Sequence, residues 1–199
     1  MKINKLNNNY AFGSKIIVRD YDSYCDFFKL VCLKSIECPW EDIKTGKKIY
    51  TESVSPCISG GSGTSICNGE GFIFHFLLPG KKSLDNIYKN IIKVKQLDNK
   101  PRFFITGGHK NDPTSKRSFS ALIERIKEFK ERTSIIWGQK DSGTNNINYS
   151  SIDDTWTIFH EGTHIKKFED LKNAFEKIYI ADGDELWIGD TKIDPKLCV

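Results

Sequence analysis

The residue types best suited to covalent chemistry lie between Thr51 and Pro79. Cys57 follows Ser55-Pro56 in a turn-forming context, and His75 interrupts an apolar run, Gly71 to Pro79, that is typical of a buried strand. A thiol on a turn and an imidazole on the next strand are the minimum components of a cysteine nucleophile, in which the imidazole takes the thiol proton. The alternative is a small buried cysteine beside a hydrogen-bonded core histidine.

Three further features favour the chemical interpretation. An unpaired imidazole inside an apolar strand is costly, so His75 needs a partner. Thr51 precedes Cys57 by six residues, and a hydrogen bond from it would hold His75 in one tautomer. The glycine-rich segment after Cys57 predicts a flexible loop, and the backbone N–H groups of Ile58, Gly60 and Gly61 are the candidate oxyanion donors.

The elements that must position these residues follow from hydrophobic periodicity. Strands are predicted where short apolar or alternating runs occur: Lys15–Arg19, Phe27–Ile36, Lys48–Thr51, Gly71–Pro79, Arg102–Thr106, Ser134–Gly138, Thr155–His160 and Glu185–Ile188. For the second of these runs a short helix is the alternative. Apolar positions at helical spacing predict helices over Leu84–Val94 with Ser83 as N-cap, Ser115–Arg132 and Glu169–Ile180. We expect a polar loop over Lys140–Ser151 and a hairpin partner for the Thr155 strand over His164–Phe168. His109 follows Gly107-Gly108 at a strand end, where it would rim the site.

This order of elements predicts one layered α+β domain, residues 1–199, with mixed strands and two long helices packed on them. The 199 residues are 38% apolar and 28% charged with a net charge of +4, and they contain no run of basic residues or membrane-length apolar stretch. We therefore expect a monomer that binds neither nucleic acid nor membrane. The six cysteines are irregularly spaced and lack a C-x-x-C pair, which favours inert thiols over disulfides or zinc for five of the six, with Cys57 as the exception.

The segment His160-Glu161-Gly162-Thr163-His164 suggests a different chemistry. It matches H-E-x-x-H, in which two histidines one helical turn apart bind zinc and the glutamate acts as a base. The residues before it are strand-like, and Gly162 would weaken the required helix by roughly 1 kcal/mol. The context favours a strand and turn, and a zinc peptidase remains the alternative.

The Thr51, Cys57 and His75 spacing resembles the chemoreceptor glutamine deamidases of the CheD family. The shared pattern is Thr-x5-Cys followed by a strand G-x-x-x-H-F-x-L-P. Later landmarks are similar too: the strand ending in Gly107-Gly108, the helix opening at Lys116-Arg117, Asp141-Ser142-Gly143, and the turn at Gly162. The resemblance covers residues 51–168 and leaves 1–50 and 169–199 as extensions.

The same Cys/His core occurs in toxins that deamidate host glutamines, the cytotoxic necrotizing factors and the Burkholderia lethal factor. Those carry Ser-Gly-Cys, where this chain has Ser55-Pro56-Cys57. The resemblance implies a protein-glutamine deamidase that works through a thioester without metal or cofactor, on a protein that presents an exposed glutamine. With the two extensions it implies a secreted bacterial effector acting in the host cytoplasm, with a bacterial cytoplasmic chemoreceptor deamidase as the alternative.

Overall fold

Two mixed β-sheets form the frame of the protein in a computed structural model, which describes residues 13–20, 35–63, 69–97 and 102–198. The first sheet has the order β13-β12-β1-β10-β9-β4-β2. Its strands are β1 (Lys15–Asp20), β2 (Ile36–Glu37), β4 (Lys48–Thr51), β9 (Thr144–Ser150), β10 (Thr155–Glu161), β12 (Glu185–Ile188) and β13 (Thr191–Lys192). Strand β1 lies between β10 and β12 and is parallel to both.

The second sheet has the order β11-β8-β7-β5-β6-β3. Its strands are β3 (Asp42–Gly46), β5 (Ile58–Gly63), β6 (Gly71–Phe76), β7 (Arg102–His109), β8 (Thr133–Gln139) and β11 (Phe175–Tyr179). Only the β7–β8 pair is parallel among the strand pairs that the described residues form in this sheet.

Helices cover the outer face of the second sheet. They are α1 (Lys81–Leu97), α2 (Pro113–Arg125) and a 3-10 helix over Lys127–Arg132. Two shorter helices follow later in the chain: α3 (Phe168–Ala174) and a 3-10 helix (Pro195–Cys198). Ile87 of α1 and Leu122 of α2 share one buried cluster with Phe72, Phe74 and Ile105 of the sheet. Within the described parts of the chain, no helix is both long and apolar enough to cross a membrane.

A second buried cluster lies between the two sheets, with Ile16 and Trp156 from the first and Ile73 and Phe104 from the second. The fold is therefore a mixed α/β arrangement of three layers: sheet, sheet and helices. This confirms the layered α+β prediction at that level. The domain boundaries drawn from the resemblance stay predictions.

Most predicted strands are confirmed within one or two residues, and β7 continues through Gly107-Gly108 to His109. The prediction for Phe27–Ile36 falls largely outside the described residues. Two helix predictions need correction at their ends. Ser83 lies inside α1 rather than at its N-cap. The second helix begins after Asp112, whose carboxylate accepts the N–H groups of Thr114 and Ser115, and α-helical geometry ends at Arg125.

One strand of the first sheet consists largely of polar residues. The loop prediction for Lys140–Ser151 is wrong, because residues 144–150 form β9, paired with both β10 and β4. Asn145 and Asn146 are buried there together with Ile147 and Tyr149. The Asn145 amide donates to the buried Gln139 side chain and the Asn146 amide oxygen accepts the N–H of Ser53, which allows polar residues to occupy an interior strand.

The C-terminal third departs from prediction in two places. The helix expected over Glu169–Ile180 stops at Ala174, and the chain continues as β11, an edge strand paired with β8. The segment His164–Phe168 is not a strand, since β10 already lies between β1 and β9. Tertiary pairing with a distant strand decides both cases, and periodicity within a single segment carries no information on it.

Candidate functional site

Thr51 and His75 meet between the two sheets. Thr51 is the last residue of β4 in the first sheet, and His75 is the fifth residue of β6 in the second. Thr51 Oγ1 and His75 Nδ1 are 2.7 Å apart, and the two residues are 1% and 4% exposed. This confirms the predicted hydrogen bond. When Nδ1–H donates to Oγ1, the free lone pair lies on Nε2, which is the atom a general base needs.

Alternation along β6 directs His75 to this position. Phe72, Phe74 and Phe76 pack in the cluster under the helices, and Ile73 packs in the cluster between the sheets. His75 shares the face of Ile73, because successive side chains of a strand point to opposite sides. All six residues of β6 are buried. The continuous apolar run is therefore a strand covered on both faces, and the imidazole points toward the first sheet.

Cys57 lies immediately before β5, which pairs with β6 on one side and β7 on the other. Its carbonyl accepts the N–H of Gly108 at 2.6 Å, and the carbonyl of Pro56 accepts the hydroxyl of Ser115 at 2.5 Å. Gly107 has a positive φ of 88°, and a Cβ at that residue would meet the Cys57 carbonyl oxygen at 2.5 Å. The glycine pair at the end of β7 thus permits the close approach that holds the cysteine turn.

Cys57, His75 and Thr51 open onto one pocket of about 420 Å³. The other described residues that line it come from the end of β2, the β2–β3 connection and the segment after β4: Glu37, Cys38, Pro39, Trp40, Glu52 and Ser53. His75 Nε2 is buried and has no hydrogen-bond partner, so it is not bonded to the Cys57 thiol. The structure brings the three predicted residues to one pocket without closing the sulfur–imidazole contact. Such contacts often tighten only when substrate binds.

Both reactive groups are neutral at physiological pH. Burial raises the pKa of the Cys57 thiol to about 11; a hydrogen bond from Trp40 opposes this shift, and the charges of Glu41 and Asp112 add to it. Burial lowers the pKa of His75 to about 4. The imidazole is therefore in the form that accepts a proton, and no thiolate–imidazolium pair exists at rest.

Cys38 is a second thiol in the same pocket, and its surroundings differ. Its Sγ donates to the carbonyl oxygen of Ile73 across a sulfur–oxygen distance of 3.4 Å. Burial raises the pKa of the Cys38 thiol to about 12. An S–H that donates to a carbonyl is retained as the thiol, so Cys38 is an inert neighbour of the site. It is the natural control for Cys57.

The oxyanion prediction needs correction. Gly60 and Gly61 do not form a flexible loop, since they are buried residues of β5 with partner strands on both sides. A Cβ at Gly60 would strike the Phe104 carbonyl oxygen, and one at Gly61 would strike that of Phe72. Glycine is needed here for close strand packing, and the backbone groups of a central strand, including Ile58, are engaged in its ladders.

Two donors act against the effect of burial on Cys57. Burial raises the pKa of its thiol, while the Trp40 side chain and the backbone N–H of Cys57 lower it by favouring the thiolate. Trp40 is 61% exposed, which is unusual for an indole. Nothing in the spacing around Cys57 indicated Trp40, because the two residues belong to different segments that only the fold brings together. The one available signal was a tryptophan in a Cys-Pro-Trp turn.

His109 does not line this pocket. It ends β7, where its backbone N–H donates to Ser115 Oγ and its Nδ1 accepts the N–H of Asn111 at 3.3 Å. These contacts fix the turn between β7 and α2. The structure therefore places His109 in a turn and not at the rim of the site.

The segment that matches the zinc motif H-E-x-x-H is not helical. His160 and Glu161 are the last residues of β10, and His164 lies on the surface 3.3 Å from an Asp20 carboxylate oxygen. Among the described residues, no group of three or more potential ligands is arranged to hold a metal ion. The strand-and-turn interpretation of this segment is confirmed, and the helical geometry that H-E-x-x-H requires is not present.

Both ring nitrogens of His160 are already engaged. Nδ1 lies 2.9 Å from Asn145 Oδ1 and Nε2 lies 3.1 Å from Asp141 Oδ2, while the Gln139 side chain joins Asn145 to Asp141 and closes a ring. The ring contains four contacts, and each needs one proton. The two amides supply two of these protons in either consistent orientation, so the Asp141–His160 pair must carry the other two.

That proton count favours a charged pair. Backbone N–H groups of Gly143 and Thr163 also donate to Asp141, and its pKa is lowered to about 2. With Asp141 ionised, the second proton belongs to His160. Burial acts against this: its effect exceeds that of the Asp141 charge, so the pKa of His160 is lowered. Because a neutral ring would leave two acceptors facing each other, the hydrogen-bond geometry favours imidazolium.

The chain matches no protein-family model and has no significant sequence match among curated proteins.

Proposed function

We propose that this protein is a cysteine-dependent protein-glutamine deamidase. The proposal is carried by one observation: Cys57 opens onto the same pocket as an imidazole whose Nδ1 is held by Thr51 at 2.7 Å and whose Nε2 has no partner. These groups suit acyl transfer to a thiol. The choice of a glutamine side chain as substrate comes from the resemblance of the Thr51, Cys57 and His75 spacing to the deamidases.

The chemistry starts from neutral groups. His75 Nε2 takes the proton from Cys57 Sγ as sulfur attacks the carboxamide carbon, and the C–S bond forms. The imidazolium then gives its proton to the departing nitrogen, which leaves as ammonia and a thioester remains. Water loses a proton to His75 and attacks the thioester, the C–S bond breaks, and the proton returns to sulfur. The Cys57 N–H and the Trp40 indole N–H are the groups available to stabilise negative charge in these steps.

The site of action follows from the toxin-like part of the resemblance. A secreted bacterial effector would meet its target in the host cytoplasm, whereas a chemoreceptor enzyme would act in the bacterial cytoplasm. The chemistry is the same in both settings, and only the substrate protein separates them. Incubation with soluble eukaryotic proteins and with bacterial chemoreceptors, followed by peptide mass spectrometry for glutamine-to-glutamate conversion, distinguishes the two.

A matched pair of variants tests the reaction. We expect Cys57→Ser to reduce ammonia release to the level of a blank, because a serine hydroxyl is a far weaker nucleophile at neutral pH. Cys38→Ser changes a thiol in the same pocket and should retain activity. Intact-mass analysis of the wild type after rapid quenching should also show an acyl adduct on Cys57. Full activity in Cys57→Ser, or equal loss in both variants, would refute the proposed nucleophile.

A further inference from the structure

Acidic side chains surround the mouth of the Cys57 pocket. Glu37 lies in β2 and Glu52 directly follows β4, and both line the pocket together with the thiol. The charges of Glu41, in the β2–β3 connection, and of Asp112, directly before α2, add to the effect of burial and disfavour ionisation of the thiol. Among the described residues, no lysine or arginine lines this pocket.

This charge distribution is opposite to what a resting thiolate requires. Reactive cysteines usually lie beside cations or helix N-termini, which stabilise the thiolate. Here two glutamates line the pocket and the charges of two further carboxylates disfavour ionisation of the thiol, although the whole chain has a net charge of +4. The positive charge that would favour ionisation is therefore not supplied by the described residues around the pocket.

Two groups in the same pocket indicate that a ligand belongs there. The His75 residue is only 4% exposed, and its Nε2 has no hydrogen-bond partner. Trp40, 61% exposed, presents an indole at the pocket edge. An unpaired buried imidazole requires a polar partner, and an exposed indole among carboxylates is a favourable surface for an organic cation.

We infer that the pocket selects a glutamine flanked by lysine or arginine. The neighbouring cation would lie against Glu37 and Glu52 with its aliphatic stem on Trp40, and the carboxamide would reach Cys57 and His75. This inference deepens the proposed deamidase function and rests on it.

Three peptides of equal length test the inference, each with a central glutamine flanked on both sides by lysine, alanine or glutamate. We expect kcat/KM for glutamate formation to fall in that order, by roughly tenfold or more between the lysine and glutamate peptides. The preference should weaken at high salt because the charges lie at an open pocket. Calorimetric titration of the Cys57→Ser protein measures binding without turnover.

Charge reversal on the protein supplies the matched control. Glu37→Lys and Glu52→Lys should each reduce or reverse the preference for the lysine peptide, whereas Glu131→Lys, at an exposed residue of the 3-10 helix after α2, should leave it unchanged. Glu37→Gln and Glu52→Gln remove the charge with less disturbance, and they apply if a lysine variant has a lowered melting temperature. They should weaken the preference without reversing it.

The outcomes separate this inference from the proposed function. Turnover of all three peptides at equal rates would overturn the selectivity and leave the deamidase proposal standing. If the lysine peptide binds and loses affinity in Glu37→Lys, but no peptide is converted, the cationic recognition stands and the proposed reaction is refuted. Absence of both binding and turnover would overturn the inference.

Discussion

His75 and His160 are both buried imidazoles that link the two sheets, and they differ in what the second ring nitrogen meets. His75 contacts one hydroxyl, has a pKa lowered to about 4 and has an unpaired Nε2. His160 lies in a closed ring of side chains that engages both nitrogens. His75 therefore keeps one nitrogen without a hydrogen bond beside a pocket. His160 uses both nitrogens in hydrogen bonds that hold the fold.

The two regions are connected through β9. The carbonyl of Asn145, whose side chain belongs to the His160 ring, accepts the N–H of Val54 at 2.9 Å, and the Asn146 side chain accepts the N–H of Ser53. These bonds anchor the segment between Thr51 and Cys57. The His160 ring is thus a support for the turn that carries Cys57.

The largest contrast between the two histidines should appear in activity. His75→Gln should reduce kcat by roughly 10²–10⁴-fold, the range for loss of a general base, with the fold retained. Because its pKa is about 4, His75 stays neutral through the physiological range, and kcat/KM should fall only as the pH falls through about 4. Steady-state ammonia release as a function of pH measures both effects.

An activity loss limited to a few-fold in His75→Gln would remove the histidine from the mechanism. A wild-type acid limb near the ordinary histidine pKa of about 6.5 would show that the group titrating is not the buried His75 described above.

The next effect is on stability and concerns the other histidine. Asp141→Asn would leave the His160 imidazolium without its counter-charge. Loss of one partner of a buried pair costs roughly 3–5 kcal/mol, and we expect the lower end because the Asp141 side chain is 22% exposed. Urea denaturation measures the free energy of unfolding. Asp153→Asn, an exposed residue in the turn after β9, is the matched control and should change it little.

A loss of less than about 1 kcal/mol in Asp141→Asn, as for an exposed ion pair, would contradict the charged-ring assignment. Imidazole ¹⁵N shifts at neutral pH give a second readout: His160 should show the signature of a doubly protonated ring, and His75 that of a neutral one. Two neutral rings would remove the electrostatic difference between the regions.

The sequence was most informative where spacing and local periodicity carry the signal. The Thr51, Cys57 and His75 triple and the β6 strand follow from such patterns, and the structure places the three residues on one pocket. Glycines were misleading at Gly60-Gly61, because local flexibility and close strand packing favour the same residue. Trp40 was missed because its approach to Cys57 depends on how β3 and β5 flank β6, which is a long-range property of the sheet.

The smallest effect sharpens the role of Thr51. Thr51→Val keeps the shape of the side chain and removes the only described partner of His75 Nδ1. A lost hydrogen bond of about 1 kcal/mol corresponds to a decrease in kcat of between fivefold and tenfold, with KM little changed, because Thr51 orients the base and does not bind the substrate. Thr51→Ser restores the hydroxyl and should restore most of the rate.

The serine variant decides between orientation and packing. If Thr51→Val and Thr51→Ser lose activity equally, the methyl group of Thr51 matters and the hydroxyl does not, and the tautomer argument fails. If only Thr51→Val is impaired, the hydroxyl controls which nitrogen of His75 carries the proton. The unused lone pair then lies on Nε2 beside the pocket, which is what distinguishes His75 from the fully bonded His160.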